Sequence, residues 1–156
     1  PFPEEYKVDV SDIPARLAAD ESAHSDEDAA ERISLGYKAI ALKPIAKTMS
    51  MSLLIAALAY EKKIPCFCAD LTVSPVMVDW NKNVAARLAP MPGMKVGVLE
   101  SNGMQNYKNW DKMKSYHPRY GAEWINTVKG LFNLDESFFE SSGGIFENGE
   151  HYKNLV

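Results

Sequence analysis

Short apolar runs alternate with longer helical patterns along the first hundred residues. The runs at 39–42, 64–69 and 95–99 predict buried strands, and the segments 26–35, 50–63 and 74–88 predict helices. A further short helix is predicted at 123–131, and no strand is followed by a hairpin signal. This alternation is typical of βαβ units and predicts an α/β fold with a parallel sheet. The pattern is compatible with either an open doubly wound sheet or a barrel.

Local signals support the helix positions. Ser25 and Asp28 fit a capping box at the start of the first helix, and Ser74-Pro75 fits an N-cap followed by proline at the first helical position. The second helix contains LLIAALA, which is apolar almost all round, and we therefore predict that this helix is buried.

Composition and charge narrow the classes of partner. The chain has 156 residues, of which 46% are hydrophobic, and a formal net charge of −4. This charge argues against binding to nucleic acid or an anionic membrane, and the longest apolar run is too short to span a bilayer. No signal peptide is visible, and Cys66 and Cys68 are best interpreted as two buried thiols in a reducing compartment. We therefore expect a cytoplasmic protein.

Ionisable residues follow the apolar runs at four places. They are Asp20, Lys43, Asp70 and Glu100. In a parallel α/β fold the carboxyl ends of the strands lie on one side, where active sites form. A charged residue at any single strand end also suits the start of an ordinary surface loop. Four charged strand ends together favour an active site over four ordinary surface loops.

Lys43 is the most informative of these residues. It directly follows the apolar run at 39–42 and precedes Pro44, so its aliphatic stem starts in apolar surroundings. Burial lowers the pKa of a lysine and makes it a usable base near neutral pH. We therefore predict a catalytic role for Lys43.

Several of these segments resemble the enolase superfamily, in particular the branch of mandelate racemase and muconate lactonizing enzyme. The resemblance rests on RLAADESAHS, ISLGYKAIALKPIAKT, IPCFCADL and KVGVLESNG, and it covers roughly residues 1–105. It implies the C-terminal half of a modified (β/α)7β barrel, with a tail directed toward a capping domain. It also implies a Mg²⁺-dependent enzyme that removes the proton α to a carboxylate.

The resemblance assigns roles to the residues at the strand ends. Asp20 matches the third Mg²⁺ ligand, and Lys43 matches the acid/base lysine of the sixth strand. Glu100, at the end of the eighth strand, would hydrogen-bond the enediolate oxygen of the substrate. Asp70 is the nearest polar group to the seventh strand, which has no catalytic histidine, and its role is open. Thr48-Met49 stands where the family usually has Gly-Gly.

The resemblance also predicts how the protein is organised. We expect residues 1–105 to be the barrel half and 106–156 to be a helical or irregular extension. The chain would be a catalytically incomplete fragment of a longer homo-oligomeric enzyme that acts on a small carboxylate substrate, with the other metal ligands in the missing half. Two alternatives remain open, a non-catalytic α/β scaffold with barrel geometry and an unrelated doubly wound enzyme.

Overall fold

The computed structural model describes residues 6–153 and 155, which divide into two compact units. The first unit holds the described part of 1–69 together with 84–100, and the second holds 70–83 together with the described part of 101–156. Each unit contains its own cluster of buried apolar side chains. The second unit thus includes the segment 70–83, which the sequence analysis predicted to belong with the rest of 1–105.

The first unit is built on a parallel sheet of three short strands. These are β1 (Ala18–Ala19), β2 (Ala39–Leu42) and β3 (Cys66–Cys68), and they lie side by side in chain order. Leu99 adds a parallel bridge to Cys68, which is all that forms from the strand predicted at 95–99. The protein is therefore mixed α/β with a small parallel sheet, and no barrel is seen in the described residues.

Two helices connect these strands. Helix α1 (Asp26–Ser34) has the predicted capping box, since the Ser25 side chain accepts from the Asp28 backbone N–H and Asp28 accepts from the Ser25 backbone N–H. Helix α2 (Met49–Glu61) lies close to its predicted range. The predicted ends of both helices are therefore within two residues of the observed ends.

The prediction that α2 is buried all round was wrong. Only one face of the helix is covered, and it carries the buried residues Ser52, Ile55 and Ala59. Leu53 and Leu54 are 55% and 52% exposed. A helix packed on one side of a small sheet has one covered face, whatever residues occupy the others.

The core of the first unit lies around β2. All four residues of this strand are buried, and Ile40 and Leu42 pack with Ile55, Ala59 and the other members of the apolar cluster. A strand covered on both faces is expected to be continuously apolar. Cys66 and Cys68 are free and buried, as predicted, and burial raises the pKa of each thiol to about 12.

The second unit consists of short elements. They are α3 (Pro75–Ala85, whose last two residues belong to the first unit), α4 (Gly103–Asn106), α5 (Trp110–Lys114), a 3-10 turn (Glu123–Ile125), β4 (Thr127–Val128), β5 (Leu131–Phe132), α6 (Glu136–Ser141), a second 3-10 turn (Ser142–Gly144) and α7 (Glu150–Lys153). Trp124, Ile125 and Phe138 form its apolar centre.

The segment predicted as a helix at 123–131 forms a β-hairpin instead. Strands β4 and β5 pair antiparallel, with Thr127 opposite Phe132 and Val128 opposite Leu131. The two loop residues, Lys129 and Gly130, have φ angles of 52° and 77°. Two consecutive positive φ values define the type I′ loop, whose twist matches that of the paired strands.

A buried polar cluster surrounds Asp79 in the second unit. Its carboxylate accepts from Lys82 Nζ at 2.5 Å and from Trp124 Nε1 at 3.2 Å, and His117 Nε2 lies 2.8 Å away. Because the Arg119 backbone N–H donates to His117 Nδ1, the ring proton is on Nε2 and points to Asp79. Burial lowers the pKa of Lys82 despite the neighbouring carboxylate.

No helix among the described residues is both long enough and apolar enough to cross a membrane.

Candidate functional site

Lys43 lies at the carboxyl end of β2, directly after four buried residues. Its side chain is only 5% exposed, although it carries a charge. Burying a lysine without partners is strongly unfavourable, so the partners of the ammonium group decide what this position can do.

Those partners come from one turn, at the carboxyl end of the adjacent strand β1. Lys43 Nζ lies 2.9 Å from Asp20 Oδ1, and it also donates to Glu21 Oε1. The Ala23 backbone N–H and the Asp20 carbonyl oxygen, 3.4 Å apart, close the turn. The turn swings Glu21 toward Lys43, where an extended chain would point it away. The predicted meeting of Asp20 with Lys43 is therefore observed, and Glu21 joins them.

The two carboxylates set the protonation of Lys43. Burial, the largest single effect, favours the neutral amine, but the hydrogen bond with Glu21 and the charge of Asp20 outweigh it and raise the lysine pKa. The hydrogen bond from Lys43 lowers the pKa of Glu21. The sequence-based expectation of a lowered lysine pKa is therefore not met in this structure, because burial acts together with two opposite charges.

Lys47 is a residue that the sequence reasoning did not identify. Its ammonium donates to the Ala23 carbonyl oxygen at 2.5 Å and lies 3.4 Å from the Asp20 carbonyl oxygen. It therefore holds the turn that carries both carboxylates. Burial, followed by repulsion from Lys43, lowers its pKa. The spacing of two lysines in KPIAK was the available signal.

Glu100 lies at the same level along the strands as Lys43, at the edge of the sheet beyond β3. Leu42, Cys68 and Leu99 form one row across the sheet, and Lys43 and Glu100 each come one residue later. Two strand spacings separate the backbones of Lys43 and Glu100 by about 10 Å. Glu100 is exposed, and its backbone N–H donates to the Cys68 carbonyl oxygen.

Asp70 belongs to the second unit, where its carboxylate holds a loop. Oδ1 accepts from the backbone N–H of Leu71 at 2.7 Å and of Val73 at 3.4 Å, and Oδ2 accepts from that of Asn102 at 2.5 Å. These bonds give Asp70 a clear positioning role. A catalytic role for it stays a prediction.

Asp20 carries the carboxylate that the sequence predicts as a Mg²⁺ ligand. Its buried Oδ1 makes no well-directed hydrogen bond and faces Lys43 Nζ at 2.9 Å, and the side chain as a whole is 48% exposed. Oxygen donors of this kind are what Mg²⁺ prefers. Within residues 6–153 and 155, no group of three or more His, Cys, Asp or Glu side chains is placed to hold a metal ion.

Comparison with models of known protein families gave no match for this chain, and comparison with curated proteins gave none either.

Proposed function

We propose that this chain forms part of a Mg²⁺-dependent enzyme of the enolase superfamily, in the branch of mandelate racemase and muconate lactonizing enzyme. The reaction would begin by removing the proton α to the carboxylate of a small substrate. The observation that carries the proposal is the pairing of buried Lys43 with Asp20 and Glu21 at the carboxyl ends of β1 and β2. Active sites of parallel α/β folds form at this end of the strands.

The sheet topology supports the same proposal. Strands β1, β2 and β3 follow one another in space in chain order, and Leu99 continues the series. The spatial order of strands reverses at a switch point in a doubly wound sheet, whereas in a (β/α) barrel each strand lies next to the one before it in sequence. Half of a modified (β/α)7β barrel is therefore part of the proposal.

Each residue has a defined task in this reaction. Lys43 would accept the α-proton at Nζ as the neutral amine and return a proton as the ammonium, the form that its raised pKa favours in this structure. Its aliphatic stem is fixed in the apolar end of β2. Glu100 would donate a hydrogen bond from a protonated carboxyl group to the developing enediolate oxygen, because an ionised carboxylate can only accept. Racemisation, epimerisation, cycloisomerisation and dehydration share this first step.

Asp20 would hold the cation. Mg²⁺, when bound, supplies positive charge that stabilises negative charge developing on the substrate carboxylate. One carboxylate is too few ligands for such a site, and the others would come from outside the described residues. The task of this chain is then to supply one ligand and the proton-transfer group.

A non-catalytic scaffold is the second candidate. It is favoured by one observation, that the Lys43 charge is already compensated by two carboxylates, as in a purely structural ion pair. In that case Lys43 would contribute to folding alone.

Exchange of the substrate α-proton with solvent deuterium distinguishes the two candidates. The protein that carries this chain, together with the remaining metal ligands, would be incubated with Mg²⁺ and a panel of α-substituted carboxylates in D₂O. NMR would follow loss of the α-proton signal. We expect Lys43→Met to slow exchange by about 10²-fold or more, the usual contribution of a general acid or base.

The control is Lys62→Met, which removes an exposed lysine just after the end of α2. It should leave the exchange rate unchanged. Normal exchange by a folded Lys43→Met variant would exclude the proposed role, and absence of exchange with every carboxylate in the panel would favour the scaffold.

A further inference from the structure

A cavity in the second unit has the size of a small-molecule site. Its volume is about 580 Å³, and it is bounded by one face of α3, by the segment 101–114 and by the hairpin. Ligand-binding cavities typically fall between roughly 300 and 1,000 Å³. It shares no residue with the Lys43 cluster.

Aromatic side chains form part of the cavity wall. The rings of Tyr107 and Trp110 are stacked, with centroids 6.2 Å apart and an angle of 14° between their planes. Phe132 lies under Lys82, whose Nζ is 4.0 Å from the ring centroid. Flat apolar surfaces of this kind favour a planar ligand.

The cavity also carries an excess of positive charge. Four lysines line it, and two of them are compensated, Lys82 by Asp79 and Lys114 by Asp111 at 2.8 Å. Lys108 and Lys112 form no ion pair with any residue that the structure describes. A chain with a net charge of −4 thus has a locally cationic cavity. Such a local field selects anions.

We propose that this cavity binds a small aromatic carboxylate. The ring would lie against the aromatic wall of Tyr107, Trp110 and Phe132, and the carboxylate would face Lys108 and Lys112. This goes beyond the α-proton chemistry proposed for Lys43, because it assigns a separate ligand site to the second unit.

Benzoate is the probe for this site, titrated into the full chain and followed by ¹H–¹⁵N NMR. The chain has three tryptophans, of which Trp110 alone lines the cavity. We expect saturable binding with a Kd of about 1 mM, and the largest indole N–H shift at Trp110. Benzylamine, which has the same ring and the opposite charge, should not bind. Cyclohexanecarboxylate, which has the charge without the aromatic ring, should bind more weakly than benzoate.

Charge variants locate the binding. Lys108→Gln combined with Lys112→Gln should weaken benzoate binding about fivefold or more, since each removes one attractive charge. Lys129→Gln, on the exposed hairpin loop, is the matched control and should bind benzoate like the wild type. Lys43→Met should also bind normally, because Lys43 is not part of this cavity.

Four results would overturn the proposal. They are no saturable benzoate binding, equal binding of benzylamine, an unchanged affinity in the folded double variant, and loss of binding in Lys43→Met. Equal binding of cyclohexanecarboxylate would overturn its aromatic part.

Discussion

Lys43 and Glu21 stabilise the folded state over a limited range of pH. The folded-state pKa of Lys43 lies above its ordinary value of 10.5, so its contribution is complete below pH 10.5 and is lost as the pH rises through the raised value. The pKa of Glu21 lies below its ordinary value of 4.5, so its contribution is present above pH 4.5 and is lost as the pH falls through the lowered value. The pair is therefore strongest between these limits.

Replacing Glu21 with glutamine tests this window. Glu21 is mostly exposed, so Glu21→Gln should lower the free energy of unfolding by no more than about 1 kcal/mol at pH 7. The difference from the wild type should shrink as the pH falls from 4.5 through the lowered folded-state pKa, because the wild-type carboxyl then becomes protonated as well. Urea unfolding at pH 7 and at pH 3 measures both values.

Glu61→Gln, at the exposed end of α2, is the control for a general effect of charge. It should change the free energy of unfolding by less than about 0.5 kcal/mol at pH 7. A Glu21→Gln difference that is the same at both pH values would contradict the coupling between Glu21 and Lys43.

The sequence predicted some of these contacts, and the reason for the others is geometric. Asp20 and Lys43 end adjacent parallel strands, and strand ends of a parallel sheet converge, so their meeting followed from the pattern. Glu21 and Lys47 reach the same place because of a turn at 20–23 and a loop at 43–47. Backbone geometry of this kind does not follow from hydrophobic periodicity.

Helix α2 begins at a residue in an unfavourable conformation. Thr48, its N-cap, has a φ of 74° and a ψ of 154°, a region populated almost entirely by glycine. Its side chain accepts from the Met51 backbone N–H at 3.3 Å. The proposed enolase-type loop would have glycine here, and this chain places a threonine in a glycine-type conformation.

Two substitutions separate strain from capping at Thr48. Thr48→Gly should raise the free energy of unfolding by about 0.5–1 kcal/mol. Glycine relieves about 1–3 kcal/mol of backbone strain. This gain exceeds the cost of losing the helix cap and of the greater conformational freedom of glycine in the unfolded chain. Thr48→Ala should lower it by about 1 kcal/mol, since the cap is lost and the strain stays. Urea unfolding of both variants gives the comparison, and a glycine variant less stable than the alanine variant would contradict it.

The hairpin shows why one element was mispredicted. Its loop is Lys129-Gly130, whereas the strongest sequence signals for a two-residue hairpin are Asn-Gly and Asp-Gly. Lysine in a left-handed conformation is uncommon, so the loop was not recognised and the segment was interpreted as a helix. The β-branched pair Thr127-Val128 was the remaining signal for a strand.

At the scale of the whole molecule, the two units are stabilised by different means. The first unit has an apolar cluster around β2, and the second has a smaller cluster beside the buried charges of Asp79 and Lys82. The apolar pattern located β2 and β3 of the first core, because buried strands are continuous in sequence, but the run at 95–99 that it also predicted as buried is not. It gave no sign of the second, whose apolar members lie between residues 122 and 138 in short elements and loops.

Removing one partner of the buried pair should be strongly destabilising. Lys82→Met leaves Asp79 as an uncompensated buried charge and the Trp124 carbonyl oxygen without its lysine donor. The expected loss is about 3–5 kcal/mol, as for other broken buried pairs. Chemical unfolding measures the loss, and Lys129→Met, on an exposed loop, should change stability by less than about 0.5 kcal/mol. A loss below about 1 kcal/mol for Lys82→Met would show that the pair is not maintained in solution.

The buried thiols of β3 provide a kinetic probe of the sheet. With a pKa of about 12 and little exposure, Cys66 and Cys68 should react with a disulfide reagent only when β3 opens. At high reagent concentration the labelling rate should become independent of reagent and equal the opening rate of the strand. If the labelling rate instead keeps rising in proportion to reagent concentration, β3 closes faster than the thiols react. The labelling rate then gives the equilibrium constant for strand opening. The two native cysteines thus allow the opening of the sheet to be measured without introducing a cysteine by mutation.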